Sequence, residues 1–103
     1  MKIPKDNKIA GILEAHGIKN VDVVRKMNEG ITARHKSFVS QSKFNMYTCA
    51  DGRGLNRPSF DMAVRVTDAV NAILADIKIK RRYKVLDHFP GLRLTEEQRR
   101  AVL

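Results

Sequence analysis

Hydrophobic residues in the first part of the chain recur every three or four positions, which is the spacing of short amphipathic helices. The first stripe consists of Ile9, Ile12 and Leu13. Asp6 or Asn7 precedes it as a helix-capping residue, and Gly17 follows it as a residue that readily takes the left-handed conformation at a helix end. This pattern predicts a first short core helix.

A second stripe begins after a short polar interruption. Its apolar members are Val21, Val24 and Met27. Asn20 is a suitable capping residue, and Asp22 falls in the first turn, where the helix dipole favours an anion. We therefore predict a second helix from Asn20 to about Asn28, ended by Gly30.

The next stretch is more polar and more basic. Thr32 can cap a helix, and Phe38, Val39 and Met46 form a narrow apolar stripe, so we predict a third helix over residues 32–45. Its exposed side would carry Arg34, His35, Lys36, Ser37, Ser40, Gln41, Lys43 and Asn45. A basic helix face is usually solvated surface, but short hydrogen-bonding side chains among the cations are typical of a surface that reads base edges.

Residues 48–57 contain two glycines and no apolar period, which predicts an exposed loop. Arg53 and Arg57 in this loop are candidates for phosphate contacts, with ordinary solvated loop charges as the alternative. Cys49 is the single cysteine, and we expect it to be a semi-buried thiol.

The strongest helix signal begins at Ser59. This residue is a good cap, and Asp61 lies in the first turn. The apolar positions that follow are Ala63, Val66, Ala69, Val70, Ile73, Leu74 and Ile77. Their spacing predicts the central packing helix of the domain.

Residues 77–89 fit two different periods. As a helix the segment aligns Ile79, Tyr83 and Leu86, and as a strand it places apolar and basic residues on opposite sides. We favour the helix, because an isolated strand would need a pairing partner. In both cases the segment carries the densest positive cluster of the chain, a candidate contact to the DNA backbone. The cluster consists of Lys78, Lys80, Arg81, Arg82 and Lys84.

The C-terminal residues predict one more short helix. The sequence from Thr95 to Gln98 matches a capping box, and the helix would dock on the core or on a second subunit. The predicted fold class is all-α, a compact bundle of about five short helices containing a helix-turn-helix. Residues 1–77 would form the helix-turn-helix core domain, and residues 78–103 a basic extension packed on the core or used for dimerisation.

Charge narrows the set of partners. The 103 residues include 20 Lys and Arg against 11 Asp and Glu, a formal net charge of +9, which favours a polyanion. No apolar run approaches the length of a membrane span, so we expect a cytoplasmic protein without a membrane partner. The histidines are too scattered for a metal site, and no nucleotide-binding or hydrolase motif occurs. We expect no cofactor and no enzymatic activity.

The order of these parts resembles the Cro/CI-type helix-turn-helix family of phage and bacterial regulators over about two thirds of the chain. VDVVRKM is similar to the supporting helix, TARHKSFVSQSKF to the reading helix and RPSFDMAVRVTDAVNAIL to the fourth helix. The turn and the connection before the fourth helix are longer than in the family. The resemblance implies a homodimer that binds double-stranded DNA and regulates transcription, as a repressor would, with the protein located on the nucleoid when it is bound.

The same resemblance assigns roles to residues of the predicted third helix. Its N-terminal residues would enter the major groove, with Arg34 on guanine and Gln41 and Asn45 on adenine. Phosphate or mixed contacts would come from the helix starts and the short hydroxyl residues. These are Asn20, Thr32, Ser37 and Ser40.

Two other functions fit the same residues. A basic surface also suits structured RNA, although the aromatic content is 6% and Phe38, Phe44 and Tyr47 are expected in the core rather than stacked on bases. A small basic helical domain can also act as a non-enzymatic adaptor or inhibitor that binds an acidic protein partner.

Overall fold

The computed structural model describes residues 8–48, 58–90 and 92–102, and these residues form six helices and no strand. The fold is therefore the predicted all-α bundle. In chain order the helices are α1 (Ile9–Ala15), α2 (Asn20–Met27), α3 (Gln41–Asn45), α4 (Phe60–Asp76), α5 (Val85–His88) and α6 (Glu96–Val102).

The first two helices occur where the apolar stripes predict them. Ile9 and Leu13 of α1 are buried, and Gly17 has a φ of +68° at the end of the helix. In α2 the buried residues are Val23, Val24 and Met27. The predicted Val21 is only partly buried, so the buried face of α2 is rotated towards Val23. The capping candidates Asp6 and Asn7 lie outside the described residues.

Helix α4 is the longest element and the centre of the bundle. The Ser59 hydroxyl accepts a hydrogen bond from the Met62 amide at 3.2 Å, as expected of an N-cap. Its buried apolar face consists of Ala63, Val66, Ala69, Val70 and Leu74. The prediction for Ile77 is wrong, because the helix ends at Asp76 and the Ile77 side chain is 49% exposed.

One flank of α4 faces α2. The Arg65 guanidinium donates to the Met27 carbonyl oxygen at 3.2 Å, and the Lys26 ammonium donates to the Asp76 carboxylate at 3.0 Å. The Lys26 ammonium also lies 3.4 Å from the Glu29 carboxylate. The bond to Asp76, and after it the contact with Glu29, raises the pKa of Lys26. Arg65 and Asp76 lie on nearly the same side of the helix, since each residue advances about 100° around the axis.

The opposite flank of α4 receives the chain that follows it. The Ile79 amide donates to the Leu74 carbonyl at 2.8 Å, and both backbone polar groups of Tyr83 bond to the Asn71 side chain at 2.9 Å. Further along, Thr67 and His88 share a side-chain hydrogen bond of 2.9 Å. The chain therefore reverses after α4 and runs back along the helix towards its N-terminal half. These contacts are centred roughly 160° around α4 from those of α2.

This return corrects the prediction for residues 77–86, which form neither the favoured helix nor the alternative strand. Lys78 takes the left-handed conformation with a φ of +61°, which turns the chain out of α4. The Asn71 side chain then hydrogen-bonds to both the amide and the carbonyl of Tyr83, so these groups do not form the backbone hydrogen bonds of a helix. Helical structure resumes only at α5, between Val85 and His88.

The core joins residues from both ends of the described chain. The Lys8 amide donates to the His88 carbonyl at 2.8 Å, and the rings of Phe44, Tyr47 and Phe89 meet edge to face. Helix α6 lies at the periphery, with no residue fully buried. The predicted capping box is present at its start, where Thr95 and Gln98 exchange two hydrogen bonds of 3.1 Å.

Candidate nucleic-acid interface

The predicted third helix over residues 32–45 is wrong for most of its length. Only α3, from Gln41 to Asn45, is helical, and it is capped by the Ser40 hydroxyl, which accepts a hydrogen bond from the Lys43 amide at 3.1 Å. Residues 31–40, which we call the polar loop, form turns and extended backbone. Thr32 is therefore not a helix cap, and 13 residues separate α2 from α3.

The polar loop is not helical because other elements bind its backbone. The Asn28 side chain donates to the Val39 carbonyl at 2.7 Å and accepts from the Val39 amide at 2.9 Å. The Arg65 guanidinium donates to the Ser37 carbonyl at 2.9 Å and also holds Met27. The three bonds to Val39 and Ser37 fix the loop, and the bond to Met27 ties Arg65 to α2. The Val39 side chain is buried in the core.

The surface of the polar loop and α3 carries most of the predicted reading residues. The exposed ones are Thr32, Arg34, His35, Lys36, Ser40, Gln41, Lys43 and Asn45. Ser37 is partly buried, and its amide donates to the His35 Nδ1 at 3.0 Å. In the described part of the chain, no carboxylate forms an ion pair with Arg34, Lys36 or Lys43.

The prediction that Asn20 caps the second helix is wrong, because Asn20 is the first residue of α2 and Lys19 precedes it as the cap residue. The Asn20 side-chain amide donates to the Asn45 side-chain oxygen at 2.9 Å and to the Thr48 hydroxyl at 2.7 Å. It therefore links the start of α2 to the end of α3. Arg53, Arg57 and Cys49 lie outside the described residues.

The second cationic region is the run of residues 78–84, which we call the basic segment. Lys78, Lys80 and Lys84 are exposed, and Arg81 is stacked over the Tyr83 ring with its guanidinium carbon 4.8 Å from the centroid. Arg82 donates to the carbonyls of Ile79 and of Arg81 at 2.5 and 2.8 Å. The polar loop and the basic segment are held by different residues of α4, the first by Arg65 and the second by Asn71.

Sequence reasoning missed Asn28 and Arg65, the two residues that hold the polar loop. Arg65 is the only cation among residues 60–76, and an isolated cation in an otherwise apolar and acidic helix is the signal that could have identified it. Asn28 carries no comparable signal, since its position suits an ordinary helix end. The prediction that Phe38 is a core residue is also wrong, because it is 38% exposed, whereas Phe44 and Tyr47 are buried as expected.

Across residues 8–48, 58–90 and 92–102, no three His, Cys, Asp or Glu side chains are grouped so that they could hold a metal ion. No helix within these ranges is long and apolar enough to cross a bilayer.

Comparisons with protein-family models, curated proteins and solved structures found no match.

Proposed function

We propose that this protein is a small sequence-specific DNA-binding regulator of transcription that contacts the duplex through the polar loop and α3. One observation carries the proposal. No Asp or Glu occurs between Glu29 and Asp51. Most polar side chains in the described part of this stretch are exposed, and its backbone is held by Asn28 and Arg65. A cationic surface that is ordered before binding loses less conformational entropy when it meets a rigid duplex.

Different residue types of this surface would supply affinity for DNA and specificity for its sequence. Lys36 and Lys43 supply point charges for phosphates, which are the main source of sequence-independent affinity. Arg34 can make a bidentate contact to guanine, and the side-chain amides of Gln41 and Asn45 suit adenine. Since α3 has only five residues, the loop enters the interface together with the helix. A homodimer on a two-fold-related site belongs to this proposal.

The proposal is tested by selecting bound sequences from a random pool of short duplexes. Fluorescence anisotropy then compares the selected duplex with bulk DNA at physiological salt. We expect the selected duplex to bind at least about a thousandfold more tightly, which is the lower end for specific regulators. Equal affinity for all sequences would contradict the proposal.

Paired variants separate the two kinds of contact. Arg34→Ala should cost about 1–3 kcal/mol on the selected site and relax the sequence preference at one position. Lys43→Ala should weaken binding to all duplexes alike and reduce the salt slope by about one. Arg99→Ala, which removes an exposed cation from α6, is the matched control and should change the sequence preference at no position.

The exposure of Phe38 favours one alternative function. An exposed ring beside cations is the arrangement on which proteins stack unpaired bases, so single-stranded regions of RNA are the second candidate ligand. If RNA is the ligand, Phe38→Ala should weaken binding to a single-stranded oligonucleotide by about 1–3 kcal/mol and leave duplex binding unchanged. Competition between duplex DNA and a structured RNA decides between the two functions.

A further inference from the structure

We propose that the basic segment is a second, separate nucleic-acid contact surface, and that one molecule uses it to hold a second DNA segment while the polar loop and α3 hold the first. The inference rests on the proposed function for the first surface. It adds an activity, the bridging of two duplexes, that a single reading surface does not have.

Position is the first argument for two separate surfaces. The polar loop is bound by Arg65 on the flank of α4 that faces α2, whereas the basic segment is bound by Asn71 on a different flank. Arg65 and Asn71 are six residues apart, which places them roughly 120° apart around the helix. The two segments are therefore held by different faces of α4.

Charge is the second argument. No acidic residue occurs between Asp76 and Asp87, and both of these carboxylates are already engaged. Asp76 accepts a hydrogen bond from Lys26 on the α2 flank, and Asp87 accepts one from the Lys84 backbone amide at 2.8 Å. Within the described residues, no ion pair neutralises a cation of the basic segment.

The conformation of the segment favours phosphates over base edges. Asn71 fixes the backbone at Tyr83, and the Arg82 guanidinium bonds to local carbonyls. The ammonium groups of its three lysines are left for an external anion. Ammonium groups act on phosphates as point charges and carry little sequence information, so this surface should bind DNA of any sequence.

The segment is a poor membrane anchor. A helix or loop that binds a lipid surface presents an apolar face to the acyl chains, but Ile79 and Tyr83 pack against the protein core. Among the described residues, Ile77 is the only exposed large hydrophobic side chain that adjoins the segment. Nucleic acid is therefore the polyanion that the basic segment fits better.

The test is a capture assay with the whole protein. The selected duplex is fixed to beads and saturated with protein, and capture of a fluorescent duplex of unrelated sequence is measured at low salt. Two triple variants remove three positive charges each. One is K78N/K80Q/K84Q, in which Asn is used because it tolerates the left-handed conformation of Lys78. The other is R34Q/K36Q/K43Q, and the unfolding midpoints of both are compared with that of the parent.

We expect the parent protein to capture the second duplex. The K78N/K80Q/K84Q variant should bind the fixed duplex with unchanged sequence preference. It should capture at least tenfold less of the second duplex than the parent protein does. Undiminished capture by this variant would overturn the inference, because bridging would then come from two copies of the reading surface. Equal loss of both activities in both variants would also overturn it, since that is the behaviour of one shared surface.

Two further outcomes keep this test distinct from that of the proposed function. Failure to select any preferred duplex contradicts the sequence-specific function, and the capture assay is then run with one fixed arbitrary duplex. Loss of capture with K78N/K80Q/K84Q alone still supports a separate second surface. If this variant loses binding to vesicles containing phosphatidylserine but captures DNA normally, the segment binds lipid and the inference is wrong.

Discussion

The environment of a single buried imidazole gives the fold a dependence on pH. His88 is 0% exposed, Thr67 bonds to its Nδ1, and its Nε2 has no hydrogen-bond partner within the described residues. Burial lowers the pKa of His88 to about 4, against a smaller opposing effect of Asp87. The folded protein therefore favours the neutral imidazole.

We predict that stability falls as the pH drops from about 6.5 towards 4. In this window the unfolded chain binds a proton at His88 and the folded chain does not, so acid favours unfolding. The full penalty, on the order of 3 kcal/mol, is present below the folded pKa and absent above the unfolded value. Urea unfolding at pH 7.5 and pH 4.5 measures it. In His88→Gln the difference should shrink, and an unchanged difference would contradict the assignment.

Asn28 provides a second prediction for a single residue. Asn28→Ala removes both side-chain bonds to Val39 and leaves two partly buried backbone groups without that partner, which should cost about 1–3 kcal/mol. Asn28→Asp keeps the acceptor for the Val39 amide but loses the donor to its carbonyl, and should therefore lie between the parent and the alanine variant. Urea midpoints test the order. Equal stability of all three proteins would show that the two bonds between Asn28 and Val39 do not stabilise the fold.

The polar loop shows how an element is shaped by its neighbours rather than by its own sequence. Its composition allows a helix, but Asn28 at the end of α2 and Arg65 of α4 bind its backbone, and α3 starts only at Gln41. Two carbonyls, those of Met27 and Ser37, share the Arg65 guanidinium. The conformation of the loop thus depends on a residue of α4 that lies far from it in sequence.

We predict that Arg65→Lys loosens the polar loop although it conserves the charge. A single ammonium group lacks the fixed fork of the guanidinium and is not matched to both carbonyls, so we expect a loss of about 1–2 kcal/mol. Hydrogen exchange at Ser37 and Val39 should accelerate more than exchange in α4. Arg25→Lys, at an exposed site of α2, is the matched control and should stay within about 0.5 kcal/mol of the parent. The same effect of both substitutions would exclude a specific role for Arg65.

Sequence patterns predicted the elements that local signals determine. The caps at Ser59 and Thr95, the glycine at the end of α1 and the long stripe of α4 act within one or two turns, and all are found. The polar loop and residues 77–84 were mispredicted because their backbones bond to side chains distant in sequence. A periodicity argument detects neither Arg65 nor Asn71 as a partner. Most polar residues of the candidate site are exposed, but the helix predicted over residues 32–45 is restricted to residues 41–45.

At the scale of the whole molecule, the C-terminal part completes the core. Val85, His88 and Phe89 are buried, and Tyr83 packs against the same cluster from a partly exposed position. Residues 79–88 cover the flank of α4 opposite α2. The basic segment is thus a surface feature of a stretch whose apolar side chains belong to the common core.

We predict that a fragment of residues 1–77 does not fold by itself. It retains α1 to α4 but exposes the apolar flank of α4 and loses the partners of Thr67 and Asn71. Circular dichroism and urea titration should show low helicity and no cooperative transition. A fragment of residues 1–94, which lacks only the peripheral α6, is the control and should unfold cooperatively. Cooperative unfolding of the shorter fragment would show that the return of the chain is dispensable.

The contact between the end of α1 and the returning chain determines how late in synthesis the bundle can form. The His16 imidazole shares a 2.8 Å hydrogen bond with the Tyr83 hydroxyl, 67 residues later in the sequence. A ribosome adds about 5–20 residues per second, so α1 is made roughly 3–13 seconds before its docking partner. During that interval the core cluster that contains Ile9 and Leu13 lacks its later members Val85 and Phe89. The bundle can close only once residues 83–89 have left the ribosome.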